Sequence, residues 1–228
     1  QSPIRDNSPL EKLPLAGKVK FLGSAYSAGA QAYDGNSKKE IEEINKKIYD
    51  RSDSEINKLY DWGKKVSLEY FEEIYKKLGT KFDFYFFESE AAKFGLMIVK
   101  KFLGKVFEES EGAVIFQAEK FDKKLHTRVF VNSKGLPTYE AKELGLIELK
   151  QKEHKHDISI AITGNEVNDY FKVVIEALKQ IDLGTAEKIK HISHGMLRLP
   201  SGKMSSRTGD VITAESLLGE VEKLVEEK

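Results

Sequence analysis

The 228-residue chain contains no cysteine. That excludes disulfides, zinc–thiolate centres and thiol catalysis. It has no excess of either charge, since 37 Lys+Arg stand against 37 Asp+Glu. A uniformly basic, nucleic-acid-coating protein is therefore excluded, while a local basic patch is not. No apolar run approaches the roughly 20 residues of a membrane helix; the longest, Phe94–Val99, is far shorter. The opening residues do not resemble a signal peptide, so the expected location is cytoplasmic. Proline is scarce, and three of the five (Pro3, Pro9, Pro14) fall in the first 36 residues, which read as an irregular lead-in with a short helix inside Val19–Ala32. The first residue is Gln1 rather than Met, so the chain reads as a piece of a longer polypeptide. What remains, 40% apolar and 32% charged residues, suffices for a folded core.

Helical patterning starts at Ser37, where Ser37 and Glu40 fit a capping box and Ile41, Ile44 and Ile48 follow at helical spacing. A second helix is expected from Asp53 and a third over Ser67–Leu78, stopped by Gly79. Trp62-Gly63 marks either a junction between them or a kink in one long helix. The aromatic run Phe82–Phe87 reads as a strand, and Ala92–Phe107 as a helix. Val114–Ala118 and Arg128–Val131 are short β-rich runs; Ser133-Lys134-Gly135 signals a turn before a helix over Glu140–Leu149.

The last third alternates. Asp157–Thr163 reads as a strand buried on both faces, Val167–Ile181 as an amphipathic helix, Lys190–Leu199 as a second strand and Thr213–Glu227 as a final helix. Strands alternating with helices imply an α/β fold with a parallel sheet. The organisation expected is residues 1–80 as lead-in and helical region, and 81–228 as a Rossmann-like portion with a β-rich insertion.

In such a sheet, ligands collect beyond the carboxyl ends of the strands. Two ends qualify: Thr163-Gly164-Asn165-Glu166, and the loop from Leu199 to Gly209. Within Ser201–Gly209 lie two glycines, three serines, a threonine, a lysine and an arginine. Exposed amides, hydroxyls and two cations suit a polyphosphate, although the Walker spacing is missing and an ordinary polar loop would look similar.

Lys203-Met204-Ser205-Ser206-Arg207 resembles the KMSKS signature of class I aminoacyl-tRNA synthetases. The stretch HISHGMLRLPSGKMSSRTGDVI (191–212) is similar to the arginyl-tRNA synthetase family in particular, as are GLPTYEAKELGL (135–146), FDFYFFESE (82–90) and GNEVNDYFKVVIEALKQI (164–181). The resemblance covers roughly residues 50–220. It implies the C-terminal part of a Rossmann-like class I catalytic domain behind an N-terminal helical segment. The family's HIGH signature is absent: His191-Ile192-Ser193-His194-Gly195 imitates it in letters only, on the wrong side of the fold. The family's anticodon-binding domain has no counterpart here.

The resemblance further implies ATP-dependent activation of arginine with Mg2+ and its transfer to tRNA(Arg), by a monomer away from membranes. Lys203 and Arg207 then stabilise charge on the phosphates; because Ser206 replaces the second lysine of KMSKS, they carry more of the load or it passes to residues outside this chain. Gly164, Asn165, Met196, Lys203, Met204, Ser205 and Ser206 fall to ATP binding. Glu88, Tyr139, Glu143 and Glu166 fall to arginine, whose guanidinium needs fixed acceptors. Tyr139 and Glu143 stand at i, i+4 on one helical face; Glu143 replaces the family's usual Asp. These two, with Glu88, are expected to meet in one pocket.

His126, His154 and His156 lack metal-ligand spacing and are assigned to the surface, with no metal site among them. Lys100, Lys101, Lys105, Lys120, Lys123 and Lys124, with Phe102 and Phe121, form either a solvated face or a contact for RNA. Other readings stay open: another class I synthetase, a non-catalytic nucleotide- or RNA-binding module, and a fragment with no role of its own. Alone, a chain without HIGH is expected to be weak or inactive as a ligase.

Overall fold

The computed structural model describes residues 9–196 and 213–227. The polyphosphate-type loop, with Lys203, Met204, Ser205, Ser206 and Arg207, lies outside the described residues. The chain divides into two compact units: the described residues up to Asp83 together with 213–227, and Phe84–Met196.

The first unit is helical. Helix α1 (Leu15–Asp34) starts directly after Pro14, whose fixed φ and missing N–H suit a helix start, and ends at Gly35. It is far longer than the short helix expected inside Val19–Ala32. Helix α2 (Lys38–Asp50) begins after Ser37, but the Ser37 hydroxyl makes no capping hydrogen bond, so the expected capping box is not formed. Helix α3 (Ser54–Lys77) runs unbroken through Trp62 and Gly63, one long helix in place of two. The Asp53 carboxylate caps it, accepting from the amides of Glu55 (3.1 Å) and Ile56 (3.2 Å). Its far end closes on Gly79 at φ +64°, a left-handed geometry that glycine adopts without strain. Arg51 and Asp61 form a two-pronged ion pair (2.7 and 3.0 Å) between the end of α2 and the flank of α3. Only Val66 and Ile74 are fully buried on α3.

The second unit holds the core. Helix α4 (Glu88–Lys101) is followed by an antiparallel sheet of β1 (Glu108–Ser110), β2 (Ala113–Phe116) and β3 (Arg128–Val131), in that order. Helix α5 (Tyr139–Glu153) leads into β4 (Ser159–Gly164). Helices α6 (Asn168–Ile181) and α7 (Leu183–Lys188) cross over to β5 (Ile189–His194). Strands β4 and β5 pair in parallel, from Ser159 opposite Ile189 to Gly164 opposite His194. This is the β-α-β unit expected from the alternation. Phe107, Phe116 and Phe130 sit at the centre with Val99, Leu144, Val173 and Val174. Beneath them α4 and α5 touch backbone to backbone: a Cβ on Gly95 would collide with the carbonyl of Ala141, and one on Gly145 with that of Ala91.

Two further expectations are overturned. Residues 82–87 form no strand. Their aromatic rings pack locally instead: Phe82 meets Tyr75 edge-on (4.6 Å), and Phe84 stacks on His154 (3.5 Å) just beyond α5. An aromatic run reads as β-prone because rings fit a half-buried pleated surface, and among the described residues no strand pairs with this run to supply it. Glu88 is thus the first residue of α4 rather than the end of a strand. Second, β4 is not buried on both faces. Ile160 and Ile162 are 55% and 68% exposed, and both line a cavity.

Candidate functional site

The site is built on the first turns of α5, which are fastened to the β-rich insertion. Thr138 precedes the helix, and its Oγ1 donates to the carbonyls of Val129 (2.7 Å) and Phe130 (3.1 Å) on β3. Arg128 of β3 donates through Nη1 to Oε1 of the buried Glu140 (3.0 Å). Between these ties Tyr139 projects outward, 68% exposed.

One turn further, Lys142 Nζ donates to Glu88 Oε2 at 2.9 Å and stands 5.1 Å from the centre of the Tyr139 ring. The next residue, Glu143, turns inward toward α6 and accepts from the Tyr170 hydroxyl at 3.2 Å. Burial pushes the Glu143 carboxyl above the usual carboxylate range, while nearby Lys150 and the Tyr170 hydrogen bond pull it part of the way back. The Tyr170 phenol is raised as well, by burial first and by the Glu143 charge second.

A cavity of about 760 Å³ opens beside this helix face and the carboxyl end of β4. Its wall includes Tyr139, Glu143, Gly164, Glu166, Tyr170 and Met196. Gly164 lies against the Met196 side chain: a Cβ there would come within 2.6 Å of its sulfur, so the thioether would have to swing aside. Behind the wall, His191 stacks flat on Phe171 (4.0 Å, 3°) and its Nε2 meets Thr163 Oγ1 at 2.8 Å. Burial lowers the His191 pKa.

Of the residues singled out in the sequence, then, the structure brings five to one cavity: Tyr139, Glu143, Gly164, Glu166 and Met196. Glu88 is not on that wall; Lys142 links it to the Tyr139 side. Asn165 begins the short 3-10 turn Asn165–Val167 and is likewise off the wall. Lys203, Met204, Ser205, Ser206 and Arg207 fall outside the described residues. Among the described residues no cluster of three or more His, Asp or Glu could hold a metal ion. A second cavity of about 520 Å³, between α4, α5, α6 and α7, contains none of the residues assigned to arginine or ATP, although Lys101 and Phe102 of the lysine-rich patch line it. In the lysine-rich patch, Lys120 pairs with Glu108 at 2.6 Å and Phe121 stacks on Phe116, so both are engaged within the fold.

Sequence reasoning passed over Lys142, Tyr170, Arg128 and Thr138 as parts of this site. Helical spacing alone would have put Lys142 beside Tyr139, three residues earlier. Nothing local signals its pairing with Glu88, 54 positions away.

Residues 15–228 match the family model of the catalytic domain of class I tRNA synthetases (R). The chain belongs to this family. It is 31% identical over 197 residues to an arginine–tRNA ligase of Borreliella burgdorferi, covering 83% of this chain and 34% of that protein. To the arginine–tRNA ligase of Treponema denticola it is 31% identical over 219 residues, covering 92% of this chain and 37% of the relative. The chain therefore spans about a third of the length of these curated relatives. The crystal structure of arginyl-tRNA synthetase from Plasmodium falciparum superimposes with a TM-score of 0.57 at 18% identity, over 70% of this chain and 28% of that one. That likeness carries the fold: a class I synthetase catalytic domain of the α/β class, with a helical segment before it.

Proposed function

We propose that this chain supplies the arginine-binding portion and one side of the ATP-binding portion of an arginyl-tRNA synthetase. In that reaction the arginine carboxylate attacks the α-phosphate of ATP and pyrophosphate leaves; the arginyl group then passes to tRNA(Arg), releasing AMP. The observation that carries this reading is the convergence on one cavity of Tyr139, Glu143 and Glu166 with Gly164 and Met196, in a chain belonging to the class I (R) family.

Each part has a chemical task. A guanidinium is planar, carries five donors and keeps its charge, so it needs acceptors in fixed places. Glu88, Tyr139 and Glu143 supply carboxylates and a ring face, the last two from a helix start anchored by Thr138 and Arg128. Glu143 is half-buried with its pKa raised by desolvation, so a bound cation would favour its charged form. Glu166, beside it, complements the amino-acid end of the site. The apolar wall at Gly164 and Met196 would take the nucleoside, with Asn165 next in the chain. Lys203, with Arg207 and the amides and hydroxyls of Met204, Ser205 and Ser206, would hold the phosphates. Magnesium, a hard ion that commonly arrives on phosphate oxygens, would supply further charge stabilisation there. The protein acts as a cytoplasmic monomer in this reading.

Titrating L-arginine, Mg-ATP and tRNA separately against the chain tests it. Saturable binding of arginine and of ATP is expected. Binding of nucleotide or RNA with no response to arginine would favour a non-catalytic synthetase-like module instead.

A further inference from the structure

The acidic groups of the site are not equivalent. Glu143 is paired with a neutral hydroxyl, whereas Glu88 is paired with an ammonium. The Lys142 side chain is only 14% exposed while that of Glu88 is 62% exposed, so the cation is held in place and the anion faces outward. Lys142 Nζ contacts one carboxylate oxygen, Oε2, and stands near the Tyr139 ring. These are the two surfaces that a guanidinium would use, the carboxylate by hydrogen bonds and the ring by stacking.

We propose that Lys142 is a resident counter-ion of Glu88 that makes the site select a guanidinium over an ammonium. The inference rests on reading Glu88 and Tyr139 as part of an arginine site. A cationic ligand reaching Glu88 must displace Lys142 or share the carboxylate with it. A ligand ending in an ammonium brings the same point charge and three donors that Lys142 already brings. Such an exchange gains nothing, and Lys142, attached to the site by its own helix, competes at high effective concentration. A guanidinium brings a flat fork that takes carboxylate oxygens pairwise and covers the ring. The resident cation therefore penalises lysine and its homologues more than arginine. Specificity comes from an element that repels the wrong ligand as well as from those that attract the right one.

Calorimetric titration of the full 228-residue chain with L-arginine and L-lysine tests this, using wild type, Lys142→Met and Lys142→Arg, with Lys142→Gln as a second neutral variant. In the neutral variants lysine binding should tighten roughly tenfold and arginine binding should change much less, so the preference narrows. In Lys142→Arg the resident itself has a fork, and arginine should bind several-fold more weakly. A purely structural lysine would give the opposite pattern: both ligands weakened together by Met or Gln, and both restored by Arg. A clear arginine preference that neither neutral variant alters would overturn the role of Lys142 and leave the arginine site standing. A wild-type chain that binds arginine no better than lysine would remove the site, and the role of Lys142 with it.

Discussion

Gly95 of α4 and Gly145 of α5 face each other where the two helices cross, so closely that neither position has room for a methyl group. The contact fixes how α4, which begins at Glu88, lies against α5, which carries Tyr139, Lys142 and Glu143. The opposing atoms are main-chain carbonyls, which cannot rotate out of the way as a side chain can.

Gly95→Ala and Gly145→Ala should each therefore destabilise the protein, although alanine is the better helix former. Overpacking of this kind costs about 1–3 kcal/mol, against a propensity gain of about 1 kcal/mol. Urea denaturation should show a lower midpoint for both variants, more so because backbone must move. Arginine binding should also weaken, since the Glu88–Lys142 pair spans the same crossing.

Glu143 should give the stability a recognisable pH dependence. Its pKa is raised in the folded state above the ordinary 4.5, so the folded state binds the proton more tightly than the unfolded chain. Its favourable contribution is complete below the unfolded value and is lost as pH rises through the folded one. Glu143→Gln keeps an acceptor for Tyr170 and removes the charge. The variant should melt higher than wild type at neutral pH, with the gap closing as pH falls toward 4.5. Saturating arginine should narrow the gap at neutral pH by supplying the wild-type carboxylate with a cation.

His191 acts in the opposite direction. Its folded pKa lies below the ordinary 6.5, so it favours the folded state above that value and the benefit is lost as pH falls through the folded pKa. Replacing His191 by Gln should flatten the loss of melting temperature on acidification below about pH 6.5.

Lys203 should matter to catalysis more than to arginine binding. In any form of the protein that activates arginine, Lys203→Ala should lower kcat about a hundredfold, on the order of 3 kcal/mol of transition-state stabilisation, with little change in the KM for arginine. An unchanged kcat in pyrophosphate exchange would make Lys203 an ordinary loop residue.

The sequence showed most where one segment determines its own structure. The spacing of Phe171, Val174, Ala177 and Leu178 marked α6, all four are buried, and the β4-α6-β5 alternation gave the parallel pair. Tyr139 and Glu143 share a cavity wall as their helical spacing implied. It showed least where structure depends on distant partners. Phe82–Phe87 has the composition of a strand, yet its rings found Tyr75 and His154 instead of a neighbouring strand. Helix α1 was underestimated because Gly23 and Gly29 lie inside it and no residue of it is fully buried, so its apolar pattern is faint. The links of Lys142 to Glu88 and of Tyr170 to Glu143 join different helices, and no local pattern encodes them.

The central claim is that this cavity and its rim bind arginine through carboxylates. The most direct measurement is calorimetric titration of L-arginine and Mg-ATP into the wild-type chain and into Glu88→Gln. Loss of a charge-assisted contact should weaken arginine by about 1.5–3 kcal/mol, roughly tenfold to a hundredfold, and leave ATP affinity unchanged. Arginine affinity that is the same in both proteins, or a loss shared equally with ATP, would contradict the account.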